Sequence, residues 1–128
     1  MSSAPEFLND VIKRFGEALG LKTFALNDRG AASLKFDSGL QFSLEYAYET
    51  LSIMMTVPCE ANEELMKNLL LRSSYEANRP YKLRTGYLQK SGRAFFAVRI
   101  RETDVTLPIL QNIWNMLWTE TQNFGGAK

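Results

Sequence analysis

The chain has 128 residues, of which 45% are hydrophobic, 23% charged and 12% aromatic, and a net charge of +1. This is one domain's worth of sequence with enough apolar residues for a single core, and its low net charge argues against disorder. There is no histidine, and Cys59 is the one cysteine, which excludes imidazole-based nucleophilic sites, intrachain disulfides and thiolate metal clusters.

No apolar run approaches the roughly 18–20 residues of a membrane helix. Met1 to Asp10 carries Glu6 and Asp10 and lacks a basic start, so no signal peptide is expected. A soluble cytoplasmic protein without a cofactor is the expectation, and an enzyme is the less expected class. Met1 to Pro5 and Gly125 to Lys128 read as frayed ends.

Residues 6–19 predict a helix, because Phe7, Leu8, Val11, Ile12, Phe15 and Leu19 recur at three- and four-residue spacings. Gly20 stands where a left-handed cap is wanted. From Leu21 onward the period becomes two. Ala32 to Phe36 reads as a strand between the turns Asn27-Asp28-Arg29-Gly30 and Asp37-Ser38-Gly39. Leu40, Phe42, Leu44 and Tyr46 alternate with polar residues, as do Leu51, Ile53, Met55 and Val57. Both stretches predict half-buried antiparallel strands, completing a three-strand meander. Lys22 to Leu26 could add a further strand.

Residues 60–72 predict a second helix, acidic at its start (Glu60, Glu63, Glu64) and basic at its end (Arg72). Its apolar stripe is Leu65, Met66, Leu69 and Leu70. Tyr81 to Tyr87 and Arg93 to Arg101 predict a hairpin around Gln89-Lys90-Ser91-Gly92. A last helix begins near Thr103 to Thr106, with Pro108 tolerable in its first turn. Its apolar face includes Leu110, Ile113, Trp114, Leu117 and Trp118. The single domain, residues 1–128, is therefore α+β, with the order α-βββ-α-ββ-α and a twisted five-strand antiparallel sheet packed with three helices.

Little in this chain suggests chemistry. Glu63 and Glu64 are neighbours on a helix and do not face each other, so they read as a solvated first turn. Cys59 lies just before a helix start, which lowers a thiol pKa, but it lacks a histidine base and reads as a spectator. The glycines form no phosphate-binding loop.

Charge and apolar surplus are more informative. Between Arg72 and Arg101 stand eight bases (Arg72, Arg79, Lys82, Arg84, Lys90, Arg93, Arg99, Arg101) against one acid, Glu76, a balance of +7. The hairpin register would bring Lys82, Arg84, Arg99 and Arg101 to one face, where like charges repel and something acidic should cover them. Tyr81 and Tyr87 point to the other face, so the stacking that single-strand recognition wants is missing. A nucleic-acid-binding or regulatory module built on the basic 79–101 hairpin is the alternative reading. Three helices with wide apolar stripes either fill the core of one sheet or leave one stripe for a dimer interface and another for an exposed groove. Met54, Met55 and Met66 would suit an adaptable surface or core filling.

With these elements in this order, the chain resembles the class I type III secretion chaperones, the Tir chaperone (CesT/SycE) family. The resemblance runs through FGEALG at 15–20, LNDRGAASLKFDSGLQFSLE at 26–45, MKNLLLRSSY at 66–75, LRTGYLQKSGRAFFAVRI at 83–100 and TLPILQNIWNMLW at 106–118. The stretch from Lys67 to Leu117 is most similar to SycN-type gatekeeper chaperones.

The resemblance implies a dimeric, ATP-independent virulence chaperone. It would bind the N-terminal region of a secreted effector or gatekeeper protein as an extended segment and keep it competent for transport. It further implies a dimer interface at Leu65, Met66, Leu69, Leu70, Leu83 and Tyr87, and effector-binding surface at Phe7, Leu8, Phe15, Leu34, Phe36 and Phe42. Family members are usually acidic, whereas this chain has a pI near 7.8. A heterodimer with a second small chaperone therefore stands beside a homodimer.

Overall fold

A computed structural model describes residues 4–21, 23–60, 62–74 and 81–125. Lys22, Glu76, Arg79 and the side chain of Arg72 lie outside the described residues. The elements are α1 (Glu6–Ala18), β1 (Ala31–Lys35), β2 (Gln41–Ala47), β3 (Thr50–Pro58), α2 (Glu63–Ser74), β4 (Arg84–Leu88), β5 (Arg93–Arg101) and α3 (Leu107–Gly125). This is the expected α-βββ-α-ββ-α order.

The sheet is antiparallel with strand order β1-β2-β3-β5-β4. The second hairpin therefore enters through β5, which pairs with β3 from Thr50↔Arg101 to Pro58↔Arg93, and leaves β4 at the edge. Alternation sends Leu44, Ile53 and Val98 to one face in register, with Phe42, Met55 and Phe96 in the next row. All six are buried. The helices pack on this face. Leu8, Ile12 and Phe15 of α1 and Leu110, Ile113 and Leu117 of α3 complete the core. At the β4 edge, Thr85 donates its hydroxyl to the Leu69 carbonyl of α2. The opposite face carries Ser43, Ser52, Met54, Ala97 and Arg99, all half-buried or exposed.

Several local features refine the sequence reading. The second helix starts at Glu63 rather than Glu60, because Asn62 caps it: the Leu65 amide donates to Asn62 Oδ1 at 2.7 Å. The last helix follows a short 3-10 turn, Glu102–Asp104, and the Ile109 amide donates to Thr106 Oγ1. The first hairpin strand begins at Arg84, so Tyr81, Lys82 and Leu83 precede it. Continuing the Arg84↔Ala97 register by two residues would set Lys82 against Arg99, a like-charge pair that disfavours a longer ladder. Residues 23–26 form no strand.

The turn between β2 and β3 has no turn signature in the sequence. Tyr48 and Glu49 both adopt positive φ, 53° and 61°, the two-residue arrangement that matches strand twist and usually recruits Asn-Gly.

Candidate functional site

The described residues contain no cluster of three or more possible metal ligands. Cys59 is half-buried, and burial pushes its thiol pKa up, against smaller lowering effects from the Ala94 backbone and Arg93. The surfaces, rather than any titrating cluster, distinguish the molecule.

An aromatic groove opens where α1, α3 and the end of β1 meet. Trp114 and Trp118 stack one helical turn apart on α3, with centroids at 5.9 Å and an interplanar angle of 16°. Phe36, just beyond β1, packs on both, at 6.1 and 6.2 Å. Phe42 and Phe15 back Trp114 from the core, at 4.7 and 6.0 Å. Phe36 and Trp114 are half-buried and Trp118 is 38% exposed. The cluster thus has a buried floor and an accessible rim, as a site for apolar side chains requires.

Beside the groove runs an open edge. The Tyr46 amide donates to the Gly30 carbonyl and the Phe36 amide to the Leu40 carbonyl. By alternation, the backbone groups of Ala32 and Leu34 face β2, and those of Ala31, Ser33 and Lys35 point outward. Asn27 takes the Ala31 position: the Ala31 amide donates to Asn27 Oδ1, and the Asn27 amide donates to the Ala31 carbonyl. Ser33 and Lys35 remain as the edge's template for another strand.

The residues singled out from the sequence divide between core and surface. Of those assigned to effector binding, Leu8, Phe15 and Phe42 are core residues, each 1% exposed or less. Phe7 is exposed, while Leu34 and Phe36 are half-buried. Of those assigned to dimerisation, Leu69 and Leu83 are core residues, because the inner side of α2 and the segment leading into β4 close the sheet edge. Leu65 and Tyr87 are half-buried, and the Tyr87 hydroxyl donates to the Cys59 carbonyl. Met66 and Leu70 are exposed, together with neighbouring Leu71, at 41%, 68% and 69%. Met55 is core, and Met54 lies on the opposite sheet face. Lys82, Arg84, Arg99 and Arg101 do converge, around a shallow concavity.

Trp114 and Trp118 were legible as one helix face. Their pairing with Phe36 was not, since the partners are far apart in sequence. A pair of tryptophans four residues apart on a surface helix was the signal available.

The family model described as the Tir chaperone protein (CesT) family matches residues 10–124. No curated protein sequence matches the chain significantly. Among solved structures, the fold is similar to one in the ExsC-ExsE complex, with a TM-score of 0.80 and 19% identity over 96% of this chain and 94% of that chain. It is similar to one in the HopA1-SchA chaperone-effector complex, with a TM-score of 0.71 and 18% identity over 92% of each chain. It also resembles one in the complex of the Yersinia pestis type III secretion chaperone SycH with a stable fragment of YscM2. There the TM-score is 0.71 and the identity 14%, over 91% of this chain and 98% of that chain.

Proposed function

The chain belongs to the Tir chaperone protein (CesT) family, and from that membership we propose that it is a type III secretion chaperone. It binds the N-terminal region of a secreted effector or gatekeeper protein as an extended segment, without ATP and without catalysis. It acts in the bacterial cytoplasm as a dimer, of two copies or with a second small chaperone. The similar folds found in a chaperone-effector complex and in a secretion chaperone bound to a partner fragment support this reading.

The observation that carries it is the aromatic groove beside an open strand edge. An extended client can pair its backbone with Ser33 and Lys35 while its alternate side chains enter the groove at Phe36, Trp114 and Trp118. Burial of client apolar surface offsets the entropy lost when a disordered segment orders. The exposed Met66-Leu70-Leu71 face of α2 fits the dimer contact.

The experiment is capture of tagged protein from its host's lysate after nuclease treatment, read by mass spectrometry and light scattering. A secreted protein should be recovered, and it should be lost when about 100 N-terminal residues of that protein are deleted, one domain's worth. Trp118→Ala should weaken capture by about 10-fold or more, as expected for an aromatic anchor, while the fold persists. The double variant Met66→Asp, Leu70→Asp should be monomeric. Recovery of nuclease-sensitive complexes without a protein partner would sink the chaperone reading, and an intact dimer in the double variant would sink the interface.

A further inference from the structure

The sheet face opposite the helices has a charge distribution that client capture in the aromatic groove does not use. Arg84 of β4, Arg99 and Arg101 of β5, and Lys82 before β4 surround one concavity of about 310 Å³, floored at Thr50. All four bases are exposed. Among the described residues the one ion pair is Arg14 with Asp10 on α1, so none of these four meets a described carboxylate within ion-pair distance. Arg99 and Arg101 are two residues apart on one strand face, roughly 7 Å along it. Arg84, opposite Ala97, sits diagonal to Arg99 at a similar separation. Like charges held this closely favour a complementary occupant.

Arg99 also borders a second shallow concavity of about 340 Å³ on the same face, lined by Ala31, Ser33, Ser43, Ser52, Met54 and Ala97. The rim discriminates between occupants. Glu45 lines the second concavity. A phosphate backbone continuing from the bases across this face would meet that carboxylate. A short acidic segment need not.

We propose that this helix-free face, centred on Arg84, Arg99 and Arg101, docks an acidic stretch of a second polypeptide, at a surface separate from the aromatic groove. The groove lies on the helix-covered side of the sheet, because Phe36 continues the Ala32 and Leu34 parity of β1, whereas Arg99 has the opposite parity.

The test is fluorescence anisotropy on the full chain with a labelled oligo-glutamate peptide, a Ser-Gly peptide of equal length and an oligothymidine. In low salt, the acidic peptide should bind and the Ser-Gly peptide should not. Affinity should fall about 10-fold or more as salt is raised to several times the starting level. The double variant Arg84→Glu, Arg101→Glu should weaken binding about 10-fold or more with an unchanged melting temperature, since both side chains are exposed. Trp118→Ala should leave peptide affinity unchanged. The proposal is overturned if the acidic peptide fails to bind in low salt, if charge reversal has no effect, or if Trp118→Ala abolishes binding. Tighter binding of the oligothymidine than of the peptide overturns it in favour of a nucleic-acid surface.

Discussion

Replacing Gly16 by alanine should destabilise this protein, although the same change inside an exposed helix ordinarily stabilises it by about 1 kcal/mol. Gly16 is buried in α1, facing the segment that leads to β1. A Cβ built on it would lie 2.6 Å from Phe24 Cβ and 3.3 Å from two ring carbons. Contacting carbons sit at about 3.5–4.0 Å, so roughly an ångström of overlap must be absorbed. Ring rotation relieves the 3.3 Å contacts but not the first, because Phe24 Cβ is bonded to the main chain. Either α1 or the strand-leading segment must move.

Overpacking of this kind costs about 1–3 kcal/mol, and here the upper part applies because backbone must shift. Set against the helix-propensity gain, the net destabilisation is about 1–2 kcal/mol. The assay is urea denaturation followed by circular dichroism, wild type against Gly16→Ala, at one protein concentration because dimerisation would otherwise shift the midpoint. A midpoint equal to or above wild type would refute the argument. The site matters for function because Phe24 packs on Phe42 at 6.3 Å and Phe42 backs the groove through Trp114.

Two further predictions follow from titrating groups. The Tyr46 hydroxyl donates to the Glu102 carboxylate, which holds the phenol proton and pushes its pKa from 10.0 up to about 12. The folded state thus binds this proton more tightly than the unfolded chain. The associated stability is complete below pH 10 and is lost as pH rises from 10 towards 12. Tyr46→Phe should lower the denaturation midpoint near neutral pH, and the deficit should shrink across that window; an unchanged deficit would contradict the linkage. Cys59, whose pKa is raised by burial, should react with a disulfide reagent more slowly than free cysteine at mildly alkaline pH, and equal or faster labelling would show an activated thiol.

Local patterning carried much of this molecule into view. The 3.6-residue period of α1 and the two-residue period of β2 and β3 are properties of neighbouring residues, so they survive without tertiary context. Asn62 as a helix cap was legible in principle but lost beside the more prominent Glu60. The Tyr48-Glu49 turn was not legible, because neither residue favours positive φ; the β2–β3 ladder imposes it.

The sequence by itself determined the element order, the sheet's two unlike faces and the concentration of bases in the second hairpin. Each follows from spacing along a short stretch of chain. Only the tertiary structure decided that β5 rather than β4 joins β3, since both strands carry the same alternation and distant pairing depends on chain closure and packing. It also decided which apolar residues of an amphipathic helix are core. On α2, Leu69 meets the sheet while Met66 and Leu70 stay exposed, because a broad stripe has more width than one sheet edge covers. The aromatic groove exists only once Phe36 and α3 are folded together, since no local rule relates residues so far apart in the chain.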